Sequence, residues 1–211
     1  MTQISQARDI SLEELHCHFN LEIATSEDFF GEWRASLPAA TDYEKGLLER
    51  VQQNYLNLAS RRSFSEEAVK MVVLSPLLDL AGFYQTPFSL QTEESIEIEA
   101  EDEAVVIRGS IDVLVICRQF WVLVIESKST RFDVMTALPQ ALAYMLDTPN
   151  REKPVYGLLV NGREFVFIKL LQHPAPVYAR SFALSIERDN ELVQVLGTLK
   201  NIRQSILEQP A

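Results

Sequence analysis

Three charged residues, Asp112, Glu126 and Lys128, interrupt two otherwise apolar runs between positions 107 and 128. Charged side chains seldom enter such runs without a partner or a task. The runs on either side of Arg118-Gln119 are rich in Val and Ile, which suit a pleated, buried surface, so the stretch reads as a β-hairpin. Alternate residues of a strand share a face, which puts Glu126 and Lys128 together and Ser127 on the other side. A loop of about three residues, Arg118 to Phe120, pairs Cys117 with Trp121 and sets Asp112 across from Glu126. Opposed carboxylates repel each other. A hard divalent cation between them reverses the sign of that term, and Lys128 is then placed to reach a phosphate or an attacking water. The alternative is a salt-bridged strand end with Lys128 and Arg108 as partners. Register decides between them, because a slip of one residue moves Asp112 to the other face.

The order Gly109-Ser110-Ile111-Asp112, a second strand, then Glu126-Ser127-Lys128 resembles the PD-(D/E)XK nuclease superfamily, with Ile111 at the place of the proline. Gln140-Ala-Leu-Ala-Tyr144 resembles the Q-x-x-x-Y element of the RecB-like branch, and Gln and Tyr at i, i+4 share a helix face. Ser65-Glu66-Glu67-Ala68, running on to Ser75-Pro76-Leu77-Leu78, resembles the first helix of the N-terminal nuclease domain of type I restriction R subunits. There an acidic residue faces the metal site. Glu67 is taken for that role over Glu66, against the alternative of an N-terminal acid stabilised by the helix dipole. The resemblance covers positions 63 to 169. It implies a metal-dependent DNA endonuclease of restriction-endonuclease-like fold, with an α-β-β-β-α-β core. Mg²⁺, or Mn²⁺ in its place, would be held by Asp112, Glu126 and the Ser127 carbonyl. Lys128 would orient or help deprotonate the attacking water, and Gln140 and Tyr144 would position the substrate or Lys128.

The elements that must carry these residues follow from periodicity. Ser11 to Ile23 has a short helical pattern with Leu12, Leu15, Phe19 and Ile23 on one side. Its His16-Cys17-His18 triplet does not form a metal cluster on a helix, because i and i+2 do not face each other. Ser26 caps a short helix through Trp33. Thr41-Asp42-Tyr43-Glu44 fits a capping box and opens a helix through Leu58. Ser63-Phe64-Ser65-Glu66 offers another, for a helix to Gly82 that Pro76 must kink or split. Ser89 to Ala100 reads as the first strand of the sheet, with Ile96 and Ile98 inward, and Glu101-Asp102-Glu103 as a solvated turn. After the hairpin, Thr136 to Asp147 is the helix of Gln140 and Tyr144, with Pro139 tolerated in its first turn. Val155 to Val160 and Glu164 to Leu171 are strands joined at Asn161-Gly162. Tyr178 to Ile186 adds an edge strand, and Asn190 to Glu208 a final amphipathic helix. The expected class is α+β, a mixed sheet flanked by helices. Residues 1-62 form a helical N-terminal part packed on a core of residues 63-211.

At 211 residues with 47% hydrophobic content, the chain can bury a sizeable core. It has no run of about 20 apolar residues and no signal-peptide pattern, so no membrane partner and a cytoplasmic location are expected. Cys17 and Cys117 are expected as free thiols, with no disulfide framework or zinc site. A net charge of −11 argues against strong unaided DNA binding, since phosphate affinity scales with local Lys and Arg. The candidate contacts, Arg61, Arg62, Lys70, Arg131, Arg163 and Lys169, are scattered. No G-x-x-x-x-G-K-[ST] phosphate loop is present, so the helicase motor of R subunits has no counterpart here. The expectation is a stand-alone nuclease, or one whose specificity or motor subunit is a separate partner; a homodimer would supply two cuts. The alternative function is a catalytically silent nuclease-fold module that binds protein or nucleic acid.

Overall fold

A computed structural model of the chain describes residues 3–99, 105–118 and 120–209. The acidic turn expected at 101–103 lies outside them. In chain order the elements are β1 (Gln3–Gln6), α1 (Leu12–Phe19), β2 (Glu22–Ile23), α2 (Gly31–Arg34) and α3 (Asp42–Ala59). There follow α4 (Glu66–Val69), a π-helical turn (Lys70–Leu74), α5 (Ser75–Leu80), β3 (Phe88–Glu99), β4 (Val105–Cys117) and β5 (Phe120–Ser127). The chain continues with α6 (Leu138–Leu146), β6 (Val155–Val160), β7 (Glu164–Leu171), β8 (Val177–Arg180), β9 (Leu184–Ser185) and α7 (Glu191–Glu208).

The fold is α+β with a mixed sheet. Its strands run in the order β1-β4-β5-β6-β7-β8-β2, with β3 also on β4 and β9 also on β7. The β1/β4, β5/β6 and β2/β8 pairs are parallel, and the other pairs are antiparallel. One face is covered by apolar residues of α3, the π-helical turn, α5 and α7, among them Val51, Tyr55, Val73, Leu77, Val195 and Leu199. The opposite face packs against α6 and α1 through Leu138, Leu142, Met145 and Leu15. Burial on both faces explains why β6 is a continuous apolar run, buried at every position, rather than an alternating one. Two strands were not legible in the pattern. β1 and β2 come from the first 62 residues, expected to be helical, and enter the same sheet.

Local signals account for most boundaries. Ser11 and Thr41 each close a capping box, with Glu14 and Glu44 returning a bond to the cap backbone. Asn20, in the left-handed conformation, ends α1, so the helical pattern extending to Ile23 stops early and Glu22-Ile23 pairs with β8. Ser65 caps α4 by accepting from the Ala68 amide. The capping box expected at Ser63 and Glu66 does not form, because the helix starts two residues later, and Ala68 at its third position cannot return a bond to the Ser65 cap. The helix expected to reach Gly82 is split, with Pro76 in the first turn of α5 and the π-helical turn before it.

Candidate active site

The hairpin of β4 and β5 differs from expectation at its tip, and a bulge returns it to the expected register by Val113. Cys117 pairs with Phe120, not Trp121, so two residues rather than three separate the partners. A register shift between Val115 and Ile116 then inserts one extra residue in β5. Beyond it the pairs are Val115–Leu123, Leu114–Val124 and Val113–Ile125. One step further in that register, Asp112 falls opposite Glu126. The bulge compensates for the shorter turn.

Asp112 sits where the regular ladders stop. The pairing with β5 ends at Val113, and the pairing with β3 skips the Glu93–Asp112 position between Thr92–Val113 and Glu94–Ile111. Glu93 there has φ +55, a left-handed conformation uncommon for a residue with a side chain. Residues two apart normally share a strand face, yet Ile111 belongs to the α6-side core and Val113 to the opposite one. β4 therefore turns over at Asp112. This frees the carboxylate to reach Ser127. Its Oδ2 accepts bonds from the Ser127 amide at 2.7 Å and the Ser127 hydroxyl at 2.8 Å. Its Oδ1 accepts from the Lys70 ammonium at 2.9 Å, and Lys70 also donates to Glu93 at 3.1 Å.

A second chain of bonds runs through Glu126. Lys128 Nζ donates to Glu126 Oε1 at 2.7 Å and to Gln140 Oε1 at 3.0 Å, and Gln140 Nε2 donates to the Tyr144 hydroxyl at 2.8 Å. The parallel β5/β6 pairing holds the end of β5, with the Lys128 amide donating to the Val160 carbonyl at 2.8 Å. Tyr144 can approach because Gly109 lies below it. A Cβ at Gly109 would come within 2.6 Å of the Tyr144 hydroxyl and 2.9 Å of the Ala7 side chain. The glycine three residues before Asp112 is thus required for packing. The loop after Lys128 is pinned on two sides. Asn161 donates to the Phe132 carbonyl, and the Phe64 amide donates to Thr130 just before the helix of Glu66 and Lys70.

The Glu126 side chain is 3% exposed, and its Oε2 has no hydrogen-bond partner among the described residues. Burial, then the Asp112 charge, pushes its pKa up to about 8, against the pull of Lys128. Burial, then the Glu126 charge, pushes the Tyr144 hydroxyl up to about 12, so it is a neutral hydrogen-bonding group at physiological pH.

The structure thus brings Asp112, Glu126, Ser127, Lys128, Gln140 and Tyr144 together. Glu67 makes no hydrogen bond to that network and is exposed, but its charge is felt by Lys70 and Asp112, while Glu66, half-buried, adds to the pressure on Glu126. Among the described residues no three His, Cys, Asp or Glu side chains form a metal-binding group. The donor set nonetheless suits a hard cation. It has two carboxylates from adjacent strands, and one of them has a buried oxygen with nothing to bond. Lys70 and Glu93 were missed as members of the site. A clue lay in the helix, where Lys70 follows Glu66 at i, i+4.

The scattered basic residues divide. Lys169 is ion-paired with Glu32 at 2.9 Å, Arg131 donates to Ser63, and Arg163 lies 3.6 Å from Glu164. Arg61 and Arg62 are exposed. Cys17 is exposed and Cys117 buried, both as free thiols, and no described helix is long and apolar enough to cross a membrane.

No family model and no curated protein matches the chain. Among solved structures there is a weak likeness to a fragment assigned to an HsdR subunit of a type I restriction enzyme from Vibrio vulnificus YJ016. It has a TM-score of 0.40 and 18% identity, and covers 50% of this chain. The matched part is 21% of the length of that chain.

Proposed function

We propose that the chain is a metal-dependent DNA endonuclease of the restriction-endonuclease-like kind, cutting at Asp112, Glu126 and Lys128. The observation that carries this reading is the unpartnered, buried Oε2 of Glu126 beside a second carboxylate and a lysine. A purely structural ion pair has no use for that arrangement, because a buried polar oxygen left without a partner is costly. The element order from α4 to β6, helix, three strands, helix, strand, also agrees with the core that the motif resemblance implies.

In this reading Asp112, Glu126 and the Ser127 carbonyl would hold one Mg²⁺ or Mn²⁺. When bound, such an ion lowers the pKa of a water and offsets charge on the phosphoryl oxygens. The residues of the chain do the rest. Ser127, through its amide and hydroxyl, fixes the Asp112 carboxylate. Lys128 orients the attacking water and steadies negative charge at the phosphorus as the bond to the leaving oxygen breaks. Gln140, itself set by Tyr144, holds the Lys128 ammonium at the strand end. DNA is the polymer proposed. With a net charge of −11, the chain in this reading relies on a partner subunit for choice of site.

A second reading is supported by the two ammoniums. Lys70 and Lys128 already neutralise one oxygen each of Asp112 and Glu126, as a silent binding module of the same fold would. One assay separates the two. Plasmid and single-stranded DNA are incubated with Mg²⁺ or Mn²⁺, alongside Asp112→Ala, Lys128→Ala and an EDTA control. The nuclease reading expects cleavage that is lost in all three. Cleavage that survives in Asp112→Ala removes this site from consideration. A folded wild-type protein that neither cleaves nor binds Mn²⁺ calorimetrically favours the silent module.

A further inference from the structure

Lys70 stands out among the residues around Asp112. It opens the π-helical turn, its side chain is 22% exposed, and its ammonium bridges two carboxylates from neighbouring strands. Two carboxylate oxygens within 3.1 Å of one positive centre form a cation position, here filled by a side chain. Glu93 reaches Lys70 from a left-handed backbone position at the break in the β3/β4 ladder.

Counting acceptor capacity limits what else the site can take. A carboxylate offers about four lone-pair positions. Asp112 uses two on Oδ2 for Ser127 and one on Oδ1 for Lys70. One position remains on Asp112, and the Oε2 of Glu126 is free. With Lys70 in place, Asp112 can therefore meet one divalent ion and cannot be shared between two.

Resting on the nuclease reading above, we infer that Lys70 is the resident second cation of the site. Its ammonium stays on Asp112 and Glu93 when one divalent ion binds between Asp112 and Glu126. The chain therefore works with one ion where an open acidic site would take two.

Two measurements test this. In the first, protein with ¹⁵N-labelled lysine is titrated with Mg²⁺ and the Lys70 Nζ signal is followed, assigned by its loss in Lys70→Arg. The inference expects a slowly exchanging, hydrogen-bonded ammonium that shifts but persists at saturation. Release of Lys70 to solvent on ion binding overturns it, making Lys70 a placeholder that the ion displaces. In the second, Mn²⁺ calorimetry compares wild type, Lys70→Arg and Lys70→Ala. One ion in the first two and two ions in the third are expected, with the extra ion lost again in Lys70→Ala/Glu93→Gln. One ion in all three overturns the inference while leaving the nuclease reading standing. No ion in the wild type overturns that reading and the inference with it.

Discussion

The molecule holds two buried acid–lysine clusters on one sheet, and they have opposite characters. At the β6/β7 end, Tyr156 and Lys169 are directly paired across the strands, and Glu32 of α2 comes down onto both. Lys169 donates to both Glu32 oxygens at 2.9 and 3.0 Å, Tyr156 donates at 2.7 Å, and Ser205 of α7 lies at 3.3 Å. Burial works against the Glu32 charge, yet these bonds outweigh it and hold the carboxyl below its usual pKa. At the β4/β5 end, Glu126 has one lysine for one oxygen and nothing for the other, and burial wins, carrying it up to about 8. The first cluster is complete and ties α2 and α7 to the sheet. The second is left incomplete in a well-packed core, as expected of a site that awaits something.

The sharpest way to test that contrast is to cross the two phenotypes. Asp112→Ala is expected to lower metal-dependent cleavage by at least about a hundredfold while near- and far-UV circular dichroism stay native. Glu32→Ala is expected to do the reverse. Removing one partner strands Lys169 against the Phe29 and Tyr156 rings, at a cost of about 3 kcal/mol in urea unfolding. Cleavage per folded molecule should hold. If Glu32→Ala silences cleavage at full stability, the two clusters are not distinct in role.

A smaller effect concerns pH. In chelator, a Glu126 pKa raised above its unfolded value means that the folded chain binds the proton more tightly than the unfolded one. Its stabilising share is complete below about pH 4.5 and is lost as pH rises through about 8. Urea midpoints of the wild type should therefore fall across that window by the equivalent of a few kcal/mol. Glu126→Gln should flatten this part of the profile, and Mg²⁺ should restore wild-type stability at pH 8. A slope unchanged in Glu126→Gln would assign it to other groups.

How far the sequence foretells this contrast depends on the range of the signal. Glu126 and Lys128 were legible as a pair because strand alternation puts them on one face, and the bulge at Val115/Ile116 restored the expected register by Val113 although the turn was misjudged. Gln140 and Tyr144 were legible as an i, i+4 pair. The overturning of β4 at Asp112 was not, since it follows from which core Ile111 and Val113 join. Nor was Glu32–Lys169, whose partners are 137 residues apart. That separation let Lys169 pass for a DNA contact. β1 and β2 are too short to show a period, and only their partners define them.

The smallest predicted effect compares two tyrosine hydroxyls. Tyr156→Phe removes a donor from a buried carboxylate, a charge-assisted bond worth about 1.5–3 kcal/mol. It should lower stability by that order and leave cleavage alone. Tyr144→Phe removes an acceptor for Gln140 and a contact to the Ser110 backbone, neutral interactions worth about 1 kcal/mol each. Its consequence should travel instead through Gln140 to Lys128, whose ammonium loses a fixed orientation rather than its charge. The expected result is a several-fold fall in kcat with KM for DNA unchanged, and a urea midpoint nearer to wild type than that of Tyr156→Phe. Equal stability losses in the two variants, with no change in kcat for Tyr144→Phe, would mean that the Lys128–Gln140–Tyr144 chain only braces the fold, as Glu32, Lys169 and Tyr156 do.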